Sequence, residues 1–506
     1  MHSAGGYILI IDIGTTNCKS TVFAVDGTLM GGGKASYPEH YPQPGWVEQK
    51  PEDWWSAVVA SVTQALSAAG KRAGEVLAIG VTGQMHGVVP IDKAGQPLGP
   101  CLTLRDRRAE AEVEEIVRAL SWEGVYHITG ARLSPSMPAA KIRWMRQNQP
   151  GLYQRACSFL PVKDYIRYVL TGDLGTEAID AAGTLLYDVR TRQWSAEMAD
   201  AAGVSLEKLP PLRQPWEMAG TLRGDTAQAL GLMEGTPVIV GAGDDVECLG
   251  LGLVESGDSL EHLGTTGSIM TCTDRPVDDP AMVVELYPHV APSLWLVGGS
   301  VNAAGGALEW ASRMFSGQEV IGLNDILRSR EDLSPSASEP IIFLPYLAGE
   351  RCPIWEPAAK GAWFGLTLSH ERTDLLRAVL EGVTFSLKHV LEHIEEMAVP
   401  VSSLAVQERP GENSLWLDLR ATIYGRPLRL VQSPEPTSLG TMILAGLAIG
   451  LFTDVAQGVK AIVKADRVVQ PDDGASLRYE HLYALYKETS AALRPLVSCL
   501  AGPFVM

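Results

Sequence analysis

The chain contains 506 residues, of which 46% are hydrophobic and 20% are charged, a balance typical of folded globular proteins. This length exceeds what one hydrophobic core normally supports, so two or three domains are expected. The formal net charge of -18 argues against nucleic acid or an anionic membrane as a partner, because both are held by clustered lysine and arginine side chains. Any phosphate group must therefore be bound by a local site.

The seven cysteines are dispersed, and the two nearest neighbours, Cys248 and Cys272, are too far apart for a CxxC motif. Such a set is typical of a reducing compartment. The N-terminus enters an apolar segment without a basic leader, and no apolar stretch is long enough to span a bilayer. These features predict a cytoplasmic protein with no membrane partner.

Apolar runs alternate with amphipathic segments along the chain, separated by glycine and proline, and this pattern predicts an α/β fold. The predicted strands, in chain order, are 7–12, 76–82, 237–243 and 340–346. Helical periodicity is clearest in three segments, 54–70, 109–120 and 372–397.

The segment IDIGTTNCKSTVFAVDG, residues 11–27, predicts two strands joined by a turn of Gly14, Thr15 and Thr16. Such a turn offers backbone N–H groups and hydroxyls with little side-chain bulk, which suits a phosphate oxygen. Asp12, directly before the turn, would suit a magnesium ion or its water shell. The alternative is a plain tight turn between two strands. The common phosphate-binding motifs GxxxxGK[ST] and GxGxxG do not occur in the sequence.

The same tripeptide recurs as Gly264, Thr265 and Thr266, after SLEHL and before another apolar segment. Each copy lies near the start of one half of the chain, which predicts two related halves that each begin with a strand, a turn and a strand. The two tips would then face each other across a cleft, and the repetition favours phosphate binding over a plain turn. We place the boundary near residue 250, giving domains of residues 1–250 and 251–506.

PVIVGAGDDVECLG predicts a buried strand, a turn of small residues and a helix that begins near Asp244 and Asp245. An aspartate in this position commonly caps the helix. The positive end of the helix dipole would also keep the carboxylate ionised, as a base that accepts a hydroxyl proton requires. The structural and the catalytic interpretation are compatible.

A second polar cluster is predicted at a constrained turn between two glycines in VTGQMHGVVPID, where the adjacent residues are Gln84, Met85 and His86. An isolated loop histidine is most often structural, but this clustering favours a site for a polar ligand. LRDRR adds a carboxylate and a guanidinium that can accept from and donate to sugar hydroxyls, Asp106 and Arg108. Read alone, LRDRR would be a surface charge cluster.

Together these segments resemble the FGGY family of carbohydrate kinases. The segments that match the family in order are IDIGTTNCKSTVFAVDG, VTGQMHG, DYIRYVLTGDLGTEAIDAAGTLLYDV, GAGDDVECLG, LGTTGS and FLPYLAGERCPIW. The resemblance extends from about Ile8 to about Leu451, and the GQMHG loop is most similar to that of the xylulokinases. The resemblance implies two actin-like domains of ribonuclease-H type, with ATP bound between them, a ketose in the N-terminal domain and closure around both substrates.

The resemblance also implies roles for single residues. Asp244 would be the base that activates the sugar hydroxyl. The residues expected at the ketose are Gln84, Met85, His86, Asp106, Arg108 and Asp245. The residues expected at the ATP phosphates and at Mg²⁺, with Asp12 as the metal ligand, are Asp12, Gly14, Thr15, Thr16, Gly264, Thr265 and Thr266. Gly305 and Gly306 are expected where the family approaches the nucleotide.

The chain departs from the family beside the expected adenine. Where the family has a glycine-rich GGGAxS segment, this sequence has RPGENS at 409–414, and only Gly411 and Ser414 keep their places. Arginine and proline in place of two glycines change both bulk and backbone freedom, which leaves nucleotide affinity and nucleotide identity open.

The expected function is transfer of a phosphoryl group from ATP to a primary hydroxyl of a ketose. The favoured reaction converts D-xylulose to D-xylulose 5-phosphate. A kinase for sedoheptulose, ribulose or glycerol is the nearest alternative, although GQMHG argues against glycerol. A non-catalytic, nucleotide-dependent protein with the actin-like fold is the alternative from another class. A kinase that binds sugar but turns over ATP poorly is a third alternative. The oligomeric state is left open, with a homodimer as one candidate.

Overall fold

The computed structural model of the protein describes residues 6–70, 73–316, 339–407, 414–433 and 435–500. Two seven-stranded sheets organise these residues. The strands of the first sheet are Tyr7–Ile13, Asn17–Ala24, Leu29–Ser36, Val76–Gly83, Met218–Thr221, Pro237–Ile239 and Ala242–Gly243. The strands of the second sheet are Asp258–Leu263, Gly267–Thr273, Glu285–Pro288, Trp295–Val301, Ser403–Gln407, Leu428–Val431 and Ala465–Val469.

Short strands form four two-stranded sheets in the described chain: Glu48–Gln49 with Cys101–Leu102, Val89–Ile91 with Ser158–Leu160, Tyr187–Asp188 with Gln193–Trp194, and Ile342–Leu344 with Ala362–Phe364. The α-helices are Pro51–Ala69, Glu110–Thr129, Pro138–Asn148, Pro150–Arg155, Val162–Thr171, Ala178–Gly183, Ala196–Ala202, Gly224–Leu230, Glu247–Gly250, Gly305–Ser316, Arg372–Glu396, Ser414–Tyr424, Pro436–Ala448, Val455–Ile462 and Asp473–Leu500. The 3₁₀ turns are Ala73–Glu75, Leu206–Lys208 and Asp244–Val246.

The first sheet is built around its first strand, Tyr7–Ile13. On one side this strand pairs antiparallel with Asn17–Ala24, which pairs antiparallel with Leu29–Ser36. On the other side it pairs parallel with Val76–Gly83, which pairs parallel with Pro237–Ile239. The central strand is apolar on both faces, as expected of a strand covered by helices on each side.

The second sheet repeats this arrangement around Asp258–Leu263. This strand pairs antiparallel with Gly267–Thr273, which pairs antiparallel with Trp295–Val301. On its other side it pairs parallel with Ser403–Gln407, which pairs parallel with Leu428–Val431. Both halves therefore have the ribonuclease-H-type strand order, and the prediction of two α/β halves that each begin with a strand, a turn and a strand is confirmed.

Helix Pro436–Ala448 of the second half packs directly against the first half. A Cβ atom at Gly440 would lie 2.2 Å from the carbonyl oxygen of Val246, and one at Gly250 would lie 2.0 Å from that of Pro436. At the first sheet, a Cβ atom at Gly80 would lie 2.8 Å from Cγ2 of Thr441. Glycine thus allows backbone-to-backbone contact here, and one apolar core extends across both halves.

Candidate functional site

The first hairpin tip holds its carbonyl groups inward. The hydroxyl of Tyr37 donates to the carbonyl of Gly14, and Nε2 of Gln49 donates to the carbonyl of Thr15 at 2.7 Å. The N–H of Tyr37 donates to the carbonyl of Thr16 at 3.3 Å. In a planar trans peptide the C=O of one residue and the N–H of the next point in opposite directions. The N–H groups of Thr15 and Thr16 are therefore directed away from the hairpin.

In the second tip, backbone N–H groups hold the carbonyl groups inward. The N–H of Gly305 donates to the carbonyl of Gly264 at 2.8 Å, and the N–H groups of Ala304 and Gly306 each donate to that of Thr265 at 3.0 Å. Gly305 and Gly306 thus contact the tip, and a Cβ atom at Gly305 would lie 2.4 Å from the oxygen of Gly264.

The two tips also match in exposure. The glycine of each tip is half-buried and both threonines are exposed, in Gly14, Thr15 and Thr16 as in Gly264, Thr265 and Thr266. Over the residues that the structure describes, no backbone carbonyl accepts from the N–H groups of these four threonines. Outward N–H groups and hydroxyls on small residues suit the oxygens of a phosphate chain.

Asp244 and Asp245 begin a 3₁₀ turn, Asp244–Val246, that follows strand Ala242–Gly243. The expected helix here is a single turn, Glu247–Gly250, and neither it nor the 3₁₀ turn has a side-chain cap. The prediction that one of these aspartates caps a helix is therefore wrong. Because so short an element has little dipole, the expected ionising effect of a helix N-terminus is absent as well.

Asp244 is accessible to solvent, yet its pKa is raised well above its ordinary value of 3.8. The largest cause is that surrounding protein displaces part of the water around the carboxylate, followed by the like charges of Asp245, Asp12 and Asp180. Burial and the carboxylate of Glu247 likewise raise the pKa of Asp245 to about 7. The structure thus brings three predicted site aspartates, Asp12, Asp244 and Asp245, into one electrostatic cluster.

Asp12 has an environment that fits a cation. Burial raises its pKa to about 6, although the ammonium of Lys19 lies near enough to oppose this. That ammonium instead pairs with the Glu435 carboxylate at 2.9 Å, forming an ion pair between the two halves. Within the described residues, no three His, Cys, Asp or Glu side chains are grouped to hold a metal by themselves. Magnesium commonly takes one or two carboxylates and completes its shell with water and substrate phosphates, so Asp12 fits this ion.

The two tips lie near the same turn, Asp244–Val246. Asp12, at the first tip, contributes to the raised pKa of Asp244. His262, in the strand that leads to the second tip, lies 3.2 Å from the carboxylate of Glu247, three residues after Asp244. A Cβ atom at Gly264 would lie 3.4 Å from Nε2 of the same histidine.

His86 is half-buried in the predicted sugar loop and has a φ of 63°. Its Nδ1 lies 2.8 Å from the carbonyl oxygen of Gly183, so Nδ1 carries the proton because a carbonyl can only accept. Burial lowers the pKa of His86 to about 4, with the nearby Lys141 ammonium acting in the same direction. The imidazole is therefore neutral at physiological pH, and Nε2 is left as an acceptor for a hydroxyl.

Gln84 and Met85 are the buried members of this loop, 3% and 5% exposed. Nε2 of Gln84 donates to Oε1 of Gln49 at 2.9 Å. Met85 packs in the space left by two glycines, since a Cβ atom would lie 2.9 Å from it at either Gly183 or Gly243. Both side chains support the loop from behind, and their contact with a ketose stays a prediction.

Asp106 and Arg108 form a buried ion pair. Nη2 of Arg108 donates to Asp106 and to Glu48, each at 2.7 Å, and its guanidinium carbon lies 3.8 Å from the ring centre of Trp46. The second oxygen of Asp106 accepts from the backbone N–H and Nε of Arg108 at 3.1 and 2.9 Å. Asp106 thus orients the guanidinium, and the predicted contact of these two side chains with sugar hydroxyls stays a prediction.

The segment expected beside the adenine lies largely outside the described residues. Gly411 falls in the undescribed range 408–413, and Ser414 begins helix Ser414–Tyr424. Their proposed nucleotide contacts therefore stay predictions.

Two buried charged residues support the site and were missed by the sequence analysis. Oε1 of Glu177 accepts from the N–H of Gly243 at 3.1 Å, directly before Asp244. Nζ of Lys141 donates to the carbonyl of His86 at 2.9 Å and to that of Thr103 at 2.6 Å. Neither role has a local sequence signal, because each partner is more than 35 positions away.

Comparison with known proteins identifies the family. The N-terminal domain of the FGGY family of carbohydrate kinases matches residues 7–250, and its C-terminal domain matches residues 262–449. The chain belongs to the FGGY family of carbohydrate kinases. It is accordingly a sugar kinase. Among the described residues, no helix combines the length and the hydrophobicity that a membrane span requires.

Three similar FGGY proteins cover nearly the whole chain. The xylulose kinase of Bacillus subtilis (strain 168) is 28% identical over 495 residues, 98% of either chain. The gluconokinase of the same organism is 28% identical over 496 residues, 96% of either chain. The ligand-bound crystal structure of xylulose kinase from Lactobacillus acidophilus has a TM-score of 0.89 at 27% identity, and the match covers 96% of this chain and 98% of the other.

Proposed function

We propose that this sugar kinase transfers the γ-phosphoryl group of ATP to a primary hydroxyl of a ketose, with D-xylulose as substrate and D-xylulose 5-phosphate as product. The observation that carries the proposal is Asp244, an accessible carboxylate of raised pKa beside both hairpin tips. Once ionised, a carboxylate of raised pKa is a stronger base toward a hydroxyl proton than an ordinary aspartate. The division into domains 1–250 and 251–506, with the nucleotide cleft between them, belongs to the same proposal.

In the proposed reaction, the hydroxyl oxygen of the sugar bonds to the γ-phosphorus while the bond from that phosphorus to the bridging oxygen of ADP breaks. The hydroxyl proton passes to Asp244. The outward N–H groups of the two tips donate to the phosphate oxygens. Magnesium, bound through Asp12, would neutralise phosphate charge.

On the sugar side, the neutral Nε2 of His86 accepts from a hydroxyl and Arg108 donates to one. The Arg108 side chain is 2% exposed, and none of its hydrogen bonds in the described structure uses Nη1, so Nη1 is the group that we assign to the sugar hydroxyl. The xylulose kinases among the relatives and the GQMHG loop support D-xylulose, whereas the gluconokinase of similar identity makes gluconate the main competitor.

An ADP-release assay tests the proposal directly. The substrates are D-xylulose, L-ribulose, sedoheptulose, gluconate and glycerol, each with ATP and with GTP. The highest kcat/KM is expected for D-xylulose with ATP. Activity confined to gluconate or glycerol would overturn the substrate assignment, and no activity on any of the five would favour a non-catalytic protein.

A further inference from the structure

Gln49 connects the predicted sugar loop to the first hairpin tip. It lies in the two-residue strand Glu48–Gln49 and is 1% exposed. Its Nε2 donates to the carbonyl of Thr15 at 2.7 Å. Its Oε1 accepts from Nε2 of Gln84 at 2.9 Å and from Nε1 of Trp54 at 3.1 Å. One buried amide thus contacts both sides of the proposed reaction centre.

These partners fix the direction of the amide. Trp54 Nε1 can only donate, so the oxygen of Gln49 has to face it and the nitrogen has to face Thr15. A rotation of the amide by 180° would place two donors against each other and an oxygen against the Thr15 carbonyl. Since the side chains of Gln49, Gln84 and Trp54 are buried, such a rotation would leave their polar groups without hydrogen bonds, and this is costly.

The two tips hold their inner carbonyl groups in different ways. The Thr265 carbonyl is held by two backbone N–H groups at the start of helix Gly305–Ser316, whereas the equivalent Thr15 carbonyl is held by the side chain of Gln49. The C=O of Thr15 and the N–H of Thr16 belong to one rigid peptide. Gln49 therefore sets the direction of the Thr16 N–H, a group that we assign to the ATP phosphates.

We propose that Gln49 is a positioning residue that aims the Thr16 N–H at the phosphate chain of ATP and links this tip to the sugar loop through Gln84. The inference rests on the proposed function, because it requires that the tip bind phosphate. It predicts that changes at Gln49 affect the nucleotide and the transfer step more than the initial binding of sugar.

Gln49→Glu and Gln49→Met test this role. The glutamate keeps an acceptor for Trp54 and Gln84 but places an oxygen against the Thr15 carbonyl, and the methionine keeps the length without any polar atom. Trp54→Phe is the matched control, because it removes a hydrogen bond to the same amide and leaves Thr15 untouched. Both Gln49 variants are expected to lower kcat by about tenfold or more, equivalent to about 1.4 kcal/mol, and to leave the KM for sugar within about threefold.

A binding measurement separates this inference from the proposed function. Calorimetric titration with Mg·ADP is expected to show affinity at least about fivefold weaker in both Gln49 variants and near wild type in Trp54→Phe. If the wild type phosphorylates no sugar, the proposed function fails while this titration still tests Gln49. Wild-type Mg·ADP affinity in a folded Gln49→Met protein would overturn the inference. Equal losses in Gln49→Met and Trp54→Phe would also overturn it, since they would indicate a general packing role.

Discussion

Oε1 of Glu177 accepts a hydrogen bond of 3.1 Å from the backbone N–H of Gly243, which ties the residue before Asp244 to a fully buried carboxylate. The same side chain accepts from the N–H groups of Ile179 and Asp180 at 2.6 and 3.0 Å.

Glu177→Gln would present an amide NH₂ to at least one of these donors. We expect a loss of about 1–3 kcal/mol in the free energy of unfolding and a lower kcat. Urea unfolding and steady-state kinetics check this, with exposed Glu197→Gln as the control; equal kcat in both variants would contradict it.

Asp244→Asn is expected to raise the stability of the folded protein while it lowers the activity. A carboxyl whose pKa is higher in the folded chain than in the unfolded chain binds its proton more tightly when folded. Its ionisation therefore destabilises the fold as the pH rises above the ordinary value of 3.8. Asparagine removes this cost, so the variant should melt at a higher temperature than wild type at pH 7.5 without magnesium, and the difference should shrink toward pH 4.

The same variant should lose about 10²–10⁴-fold in kcat, the usual effect of removing a general base. In wild type, kcat should fall as the pH drops through the raised pKa of Asp244, well above the range of an ordinary aspartate. Near-normal turnover by Asp244→Asn would disprove the assigned role.

His86→Asn tests the sugar loop. Asparagine tolerates the left-handed backbone at this position, so the loop should keep its conformation. Loss of the Nε2 acceptor should raise the KM for sugar by about 2–10-fold, the value of one neutral hydrogen bond. Because the pKa of His86 is about 4, its removal should leave the shape of the kcat/KM profile between pH 6 and 9 unchanged. Exposed His127→Asn is the control, and an unchanged KM in His86→Asn would count against sugar contact.

Gly305→Ala tests the second tip. A Cβ atom here would lie 2.4 Å from the carbonyl oxygen of Gly264, so the tip has to move. We expect weaker binding of Mg·ADP, measured by calorimetry, with little change in sugar affinity. Gly151→Ala is the matched control, because nothing lies within 4 Å of its added Cβ atom. Equal Mg·ADP affinity in the two variants would show that this tip does not contact the nucleotide.

Closure of the cleft is expected when both substrates bind, because an open cleft would admit water as a competing acceptor. Small-angle scattering with D-xylulose and a non-hydrolysable ATP analogue should show a smaller radius of gyration than the free protein. A value unchanged by the two ligands together would rule out a large closing motion.

Much of the fold could be predicted because its signals are local. Glycine and two threonines between apolar runs predicted both hairpins, and the repetition of the tripeptide predicted two related halves. The GQMHG loop was likewise correctly placed between two strands, Val76–Gly83 and Val89–Ile91. The suggestion that Asp244 or Asp245 caps a helix was wrong. The helix that follows them, Glu247–Gly250, is a single turn without a side-chain cap.

The supporting residues could not be predicted, because their roles depend on contacts between distant segments. Gln49 is 34 positions from Thr15, and Glu177 is 66 positions from Gly243. Lys19 pairs with Glu435 across 416 positions, and no local sequence pattern connects the two residues. Gln49 and Glu177 are polar residues of a kind usually expected at the surface, and only the folded chain shows that they are buried.

The glycines at the boundary of the two halves restrict how the molecule can open. Gly440 lies against the backbone of Val246, and Gly250 lies against that of Pro436, with no side chain between them. Any rotation of one half against the other that keeps these two contacts has its axis close to them. Because Val246 directly follows Asp244 and Asp245, the proposed base would sit near the axis of such a hinge and be displaced little.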